Sequence, residues 1–146
     1  MEGIILKASA GTGKTYRLSL EYLATLLKGE SYKDILVMTF TKKATSEIQE
    51  RVILFLEEIY KNPNSDLYKN LKELYPNLDL SRENIKNVYY EVLDNRDRLK
   101  ISTIDGFINN IFKSVIAPFL NIYSYEIIDD RDNLEIFLKC FEKIVQ

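Results

Sequence analysis

Histidine is absent from the 146-residue chain, and cysteine occurs once, at Cys140. The lack of histidine excludes imidazole acid–base chemistry and histidine-ligated metal sites, so carboxylates, lysines and backbone amides must carry any chemistry. A lone cysteine cannot form an internal disulfide, which favours a reducing, cytoplasmic setting. We expect Cys140 to be a small buried apolar side chain on the last helix. No run of about 18 apolar residues occurs, so the sequence predicts no contact with a membrane interior and no signal peptide.

Proline and glycine are scarce as well, with 3 and 5 residues, and neither sign of charge prevails. The 20 basic and 22 acidic residues leave a net charge of −2. This balance argues against a protein that coats nucleic acid by bulk electrostatics, although it allows a local basic groove. With 46% hydrophobic and 29% charged residues, the chain has the profile of one ordinary globular domain.

Glycine placement and hydrophobic periodicity together predict the order of elements. Gly3, Gly11 and Gly13 lie near the start, and no glycine lies between Gly29 and Gly106, so the middle of the chain is predicted to be helix-rich. Periodicity predicts strands at 3–7, 34–40 and 99–104 and an edge strand at 122–129. It predicts helices at 15–28, from about 42 onward, from about 105 to 117, and at 133–145, with a helical insertion at about 61–98. The alternation of strands and helices indicates an α/β fold with a parallel sheet.

Two local signals refine these boundaries. Gly29 is placed to end the first helix, and Thr41 to cap the start of a helix with one apolar stripe. That stripe comprises Ala44, Ile48, Val52, Phe55 and Ile59. A further helix entry is predicted at residues 79–83. The tyrosines of the middle region fall at helical spacing and are predicted to be packing residues rather than base-stacking platforms.

A phosphate-binding loop is indicated at residues 8–15, where the sequence reads Ala-Ser-Ala-Gly-Thr-Gly-Lys-Thr. It matches the pattern G-x-x-x-x-G-K-[ST] except that Ala8 replaces the first glycine. The loop lies between a predicted strand and a predicted helix, so free backbone amides and the positive end of the helix dipole converge there. Lys14 can reach the β and γ phosphate oxygens of ATP, and the Thr15 hydroxyl can ligate Mg²⁺. A glycine-rich turn with a surface lysine is the plainer alternative.

A second stretch, residues 39–52, follows the predicted strand 34–40. Hydroxyl groups and lysines at the carboxyl end of a strand lie where α/β sheets bind ligands. In isolation, the same residues also fit an ordinary capped and solvated helix start.

Together, the two stretches resemble the front of the superfamily 1 helicases, and the alanine in the phosphate loop resembles the RecB/AddA branch. The second stretch is similar to the family pattern T-F-T-N-K-A-A-x-E-M-x-x-R-[IV]. The matching residues are Thr39, Phe40, Thr41, Lys43, Ala44, Glu47, Arg51 and Val52. A third stretch, 101–107, is similar to the family segment T-I-H-[SG]-F at Thr103 and Phe107, but Asp105 stands where the family has histidine. An acid at that position would repel a phosphate backbone.

The resemblance implies a partial RecA-like domain over residues 1–146, the N-terminal ATP-binding part of a larger enzyme. That enzyme would be a DNA-dependent ATPase, a helicase/exonuclease acting in double-strand break repair and recombination, and its partner would be a second subunit. ATP is implied to bind Ala10, Gly11, Thr12, Gly13, Lys14 and Thr15, with Lys14 and Thr15 catalytic and Thr15 ligating Mg²⁺. Single-stranded DNA or a duplex end is implied to bind Thr39, Phe40, Thr41, Lys43 and Thr103.

Two other functions stay open on the sequence alone. A phosphate loop also fits a small-molecule or nucleotide kinase, although no arginine cluster typical of a kinase lid is present. The chain also fits a non-catalytic nucleotide-binding module, because the helicase family needs a later Asp-Glu motif for Mg²⁺ and only Asp129 and Asp130 follow an apolar run.

Overall fold

The computed structural model describes residues 13–126 and 130–145. The predicted strand at 3–7, most of the phosphate loop and Asp129 lie outside the described residues. The chain divides into two compact units, residues 1–108 and residues 109–146. Among the described residues, no helix combines the length and apolar character that a bilayer crossing requires.

The described part of the first unit contains two short strands, five α-helices and a 3₁₀ turn. The fifth helix continues three residues beyond the boundary of the unit at residue 108. In chain order the elements are α1 (Lys14–Leu27), β1 (Val37–Thr39), α2 (Lys42–Lys61), α3 (Asp66–Leu74), α4 (Arg82–Asp94), a 3₁₀ turn (Arg96–Arg98), β2 (Ile101–Thr103) and α5 (Ile104–Ile111). The stretch 61–98, predicted to be a helical insertion, contains α3, α4 and the 3₁₀ turn.

Side-chain hydroxyls set the starts of α2, α3 and α4. Thr41, Ser65 and Ser81 each accept a hydrogen bond from the backbone N–H three residues further on, at 3.1, 3.1 and 3.3 Å. These bonds satisfy donors that a helix start otherwise leaves unpaired. The predicted cap at Thr41 and the predicted helix entry at 79–83 are both confirmed. Gly29, with φ of 96°, ends α1 as expected, in a backbone conformation that favours glycine.

The core of this unit forms around α2. Its residues Ile48, Val52, Phe55 and Ile59 are buried as predicted, whereas Ala44 is only half-buried. Helix α1 packs along one side of α2 with an almost fully buried face that includes Leu20, Leu23 and Leu27. Helices α3 and α4 also contact α2, so the insertion shares one apolar core with α1 and the sheet.

Strands β1 and β2 pair in parallel, with Val37 opposite Ile101 and Thr39 opposite Thr103. The parallel sheet is confirmed, but both strands are shorter than the predicted 34–40 and 99–104. Residue 34 belongs to a turn before β1, because the Asp34 N–H donates to the Ser31 carbonyl. Lys100 lies just before β2, and its carbonyl accepts a hydrogen bond from the Val37 N–H. The described residues are therefore mostly helical, with a small parallel sheet of the α/β type.

The second unit contains a π-helical turn (Phe112–Ile116), α6 (Ala117–Phe119) and α7 (Asp130–Val145). The predicted edge strand at 122–129 is wrong for residues 122–126, which form no strand, while 127–129 lie outside the described residues. The chain there leaves α6 through Asn121, whose φ is 55°, and the Ile122 N–H bonds back to the Ala117 carbonyl. This local turn replaces the ladder bonds that a strand would need.

Helix α7 begins at Asp130, three residues before the predicted start at 133. The prediction that Cys140 is buried is wrong, because its side chain is exposed. The larger apolar side chains Leu134, Phe137, Leu138 and Phe141 on the same helix are exposed as well. Cys140 therefore shares the exposure of the helix that carries it.

Tyr22 on α1 provides a test of the core. Its ring is buried, and its hydroxyl finds no hydrogen-bond partner among the described residues. Burial raises the pKa of Tyr22 to about 12, above the ordinary value of 10.0. The unfolded chain therefore loses this proton at a lower pH than the folded chain does. The resulting stability is fully present below pH 10 and is lost as the pH rises towards 12.

We expect Tyr22→Phe to keep the neutral-pH stability within about 1 kcal/mol and to lose stability less steeply above pH 10. Urea unfolding at a series of pH values measures this. Burial also raises the pKa of Tyr75 to about 12, so the difference between parent and variant is the informative quantity. Tyr123→Phe, at a side chain that is 94% exposed, is the matched control. Parallel stability curves for parent and Tyr22→Phe above pH 10 would contradict this account.

Candidate functional site

The parallel register brings two of the predicted ligand-binding stretches together. Thr39 is the last residue of β1 and Thr103 the last of β2, and the two are direct partners in the sheet. Helix α2 begins after Thr41, and α5 begins directly after Thr103. Two strand-to-helix turns therefore lie side by side at the carboxyl edge, where α/β sheets bind ligands.

Three threonine hydroxyls fix the first of these turns, and one of them is the Thr41 hydroxyl that caps α2. The Thr39 hydroxyl donates to the Thr41 carbonyl at 3.0 Å and lies 2.8 Å from the Thr45 hydroxyl. Thr45 donates to the same carbonyl at 3.2 Å. The Thr39 side chain is 8% exposed, so it faces the interior and holds the turn in shape. Thr45 was not identifiable from the sequence, because its role depends on a contact with a residue six positions earlier in the chain.

The second turn has its own internal support. The Thr103 hydroxyl accepts a hydrogen bond from the Gly106 N–H at 3.0 Å, in the first turn of α5. A Cβ atom built on Gly106 would lie only 3.0 Å from that hydroxyl, so glycine allows this close approach. Asp105 is exposed in the same turn, where a carboxylate is favourable beside the positive end of a helix.

The outward-facing groups at this edge come mainly from the first turn. Phe40 is 89% exposed, and Thr41, Lys42 and Lys43 are exposed beside it. The first turn of α2 contains no acidic residue. A free aromatic ring next to two ammonium groups can stack on a base and neutralise phosphate charge. Asp105 makes the neighbouring turn acidic, so the positive charge lies on the α2 side.

The end of the phosphate loop is described from Gly13 onward, and Ala10, Gly11 and Thr12 lie outside the described residues. Gly13 precedes α1 with φ of 79°, in the left-handed region that suits glycine. Lys14 and Thr15 form the first turn of α1, which contains no acidic residue, and Thr15 is half-buried. The start of α1 therefore offers an ammonium, a hydroxyl and helix-end amides to an anion.

An aromatic contact and a cation–π contact attach the start of α1 to the middle of α2. The Tyr16 ring meets the Phe55 ring edge-on, with centroids 5.2 Å apart. The Arg51 guanidinium lies 6.0 Å from the Tyr16 ring centre and pairs with the Glu47 carboxylate at 2.7 Å. Glu47 and Arg51 were identified from the sequence only as matches to a pattern, and the structure gives them a packing role.

Comparison with known proteins agrees with this arrangement. The model of the UvrD/REP helicase N-terminal domain matches residues 2–146. The chain is 36% identical to RecBCD enzyme subunit RecB of Chlamydia trachomatis over 107 residues, 70% of this chain and 10% of that protein. It is 31% identical to RecB of Haemophilus influenzae over 148 aligned positions, 89% of this chain and 12% of that protein.

A third relative is the RecBCD enzyme subunit RecB of Borreliella burgdorferi, 43% identical over 74 residues, 49% of this chain and 6% of that protein. The chain thus spans about a tenth of the length of the curated relatives it matches. No solved structure matches it. The family match covers the strand-to-helix turns and the start of α1 described above, and the chain belongs to the UvrD/REP helicase N-terminal domain family.

Proposed function

We propose that the chain is the ATP-binding part of a DNA-dependent ATPase, a helicase/exonuclease of the RecB/AddA type that acts in double-strand break repair and recombination. The observation that carries this proposal is the pairing of Thr39 with Thr103, which aligns two strand-to-helix turns at one sheet edge. Family membership and the relatives named RecB support it. A RecA-like arrangement completed by the strand predicted at 3–7 is part of the same proposal.

In this proposal the start of α1 binds the nucleotide. Backbone amides of residues 10–15 surround the phosphates, and the left-handed Gly13 lets the chain turn into the helix. Lys14 offsets the charge of the β and γ phosphates, and Thr15 supplies a hydroxyl ligand for Mg²⁺. Bound Mg²⁺ supplies further charge neutralisation on the transferred phosphoryl group.

The DNA-binding surface in this proposal comprises Thr39, Phe40, Thr41, Lys43 and Thr103. Phe40 stacks on a base, and Lys43 neutralises a backbone phosphate. Thr39 and Thr103 contribute chiefly by holding their turns, since their hydroxyls bond to neighbouring groups of the chain. A preformed turn keeps Phe40 exposed without an ordering cost when DNA binds.

The partners and the location are part of the same proposal. We propose that the enzyme acts on a single DNA strand or a duplex end. We also propose that it assembles with a second subunit of a helicase–nuclease complex and works in the cytoplasm. The printed names of several relatives describe one subunit of a larger enzyme, which supports the partner.

We expect Lys14→Ala to lose most of the affinity for Mg-ATP, because the ammonium that offsets the phosphate charge is gone. Isothermal titration calorimetry measures the affinity, and circular dichroism checks that the helical content is kept. Lys86→Ala, an exposed lysine on α4, is the matched control. Equal affinities of parent and Lys14→Ala would be evidence against a phosphate role for this lysine.

We expect Phe40→Ala to weaken binding of oligo-dT by about tenfold, since stacking on an aromatic ring contributes about 1–3 kcal/mol per base. Fluorescence anisotropy of labelled oligo-dT measures the change. Phe119→Ala removes a ring of similar exposure, 84%, that the proposed DNA-binding surface does not include. Loss of affinity in Phe119→Ala with none in Phe40→Ala would refute the assignment.

We expect Lys43→Ala to make oligo-dT binding less sensitive to salt. Each neutralised phosphate contributes roughly −0.7 to the slope of log affinity against log salt for a single strand. Anisotropy titrations from low to moderate salt give the slope for the parent, Lys43→Ala and the control Lys86→Ala. An unchanged slope in Lys43→Ala would show that this ammonium contacts no phosphate.

A further inference from the structure

A cavity of about 310 Å³ lies inside the helical insertion, at the far end of α2 from the sheet edge. It is formed by the end of α2, the turn that follows it, α3 and the start of α4. Helix α2 has 20 residues, so at about 1.5 Å per residue its two ends lie roughly 30 Å apart. The cavity is therefore separate from the candidate DNA-binding surface at the start of α2.

The floor of the cavity is apolar. Ile59 and Ile85 line it and are almost completely buried, and the partly buried Leu80 completes it. These side chains provide no hydrogen-bonding groups, so an occupant must place an apolar body against them. A volume near the lower end of the range for ligand sites fits a small molecule rather than a peptide helix.

The rim carries two positive charges and no acidic lining residue. Lys61, at the end of α2, and Arg82, at the start of α4, both line the cavity. The Lys61 ammonium pairs along α2 with Glu57. The Arg82 guanidinium has neither a hydrogen bond nor an ion pair within the described residues. Its planar set of donors suits a carboxylate, which it can bind through two parallel hydrogen bonds.

The aromatic walls are fixed before any ligand binds. The Tyr68 hydroxyl donates to the Leu80 carbonyl at 3.3 Å, across the cavity from α3 to the residue before the cap of α4. The Tyr60 ring stacks on Tyr89 with centroids 5.4 Å apart and meets Tyr90 edge-on. Fixed walls lower the entropic cost of binding, which distinguishes a preformed site from a surface crevice.

We propose that this cavity binds a small organic acid with an aromatic or branched aliphatic body and one carboxylate. The body lies on the floor of Ile59, Leu80 and Ile85, between the rings of Tyr60 and Tyr68. The carboxylate meets Arg82, and Lys61 adds positive charge to the lining. A nucleotide fits less well, because the floor offers no partners to the polar edge of a base.

Naphthalene-2-carboxylate is the probe, and its neutral amide is the matched compound. Binding to the 146-residue chain is followed by amide chemical shifts in ¹H–¹⁵N NMR spectra. We expect saturable binding of the carboxylate, with the largest shifts at residues 59–68 and 80–85 and none at 39–45. The amide should bind about tenfold more weakly, because it lacks the charge-assisted hydrogen bonds to Arg82.

Arg82→Gln, at an exposed position, should reduce carboxylate affinity by about tenfold and remove the preference over the amide. Arg96→Gln, in the exposed 3₁₀ turn, is the control and should change neither. Lys61→Gln is a second charge variant with a smaller expected loss. The proposal is overturned if the parent shows no saturable binding, if Arg82→Gln binds as the parent does, or if AMP or oligo-dT competes more strongly than the carboxylate for the shifted residues.

Discussion

The burial of one face of α2 is the constraint on which the rest of the first unit depends. The stripe formed by Ile48, Val52, Phe55 and Ile59 is the surface against which α1, the insertion helices and the sheet pack. Apolar burial contributes about 25 cal/mol per Å², and a fully buried aliphatic side chain contributes about 1.5–3 kcal/mol. Shortening one of these side chains leaves a cavity that several elements share, so the damage extends beyond α2 itself.

Around that core, short-range polar bonds decide where each element begins and which way it leaves the sheet. The turn after β1 is fixed by the hydroxyls of Thr39, Thr41 and Thr45. The turn after β2 is fixed by the hydrogen bond between Thr103 and Gly106. The apolar core places the helices, whereas these bonds orient the turns between strand and helix. Phe40 is exposed because the turn beneath it is fixed from inside.

The features that the sequence predicted well depend on local interactions. The cap at Thr41, the helix end at Gly29 and the buried stripe of α2 each follow from residues within a few positions of one another. Strand lengths and the edge strand at 122–126 were predicted poorly, because a strand exists only where a partner supplies its ladder bonds. The burial of Thr39 and the exposure of Cys140 depend on contacts between residues far apart in the sequence, and hydrophobic periodicity gives no information about such contacts. The order of strands and helices in the sequence places the candidate DNA-binding residues at the edge of the sheet. It does not tell which residue of β1 lies opposite which residue of β2, so the pairing of Thr39 with Thr103 came only from the structure.

The length of α2 has a mechanical consequence. The helix starts beside the exposed Phe40 and ends at Lys61 on the rim of the cavity, and its buried face is packed at intervals from Ile48 to Ile59. Close-packed interiors have low compressibility and pass strain on to their neighbours. A tilt of α2 that moves Lys61 therefore also requires the buried side chains Val52 and Phe55 to repack. The packed stripe therefore couples the two ends of α2 through one shared core.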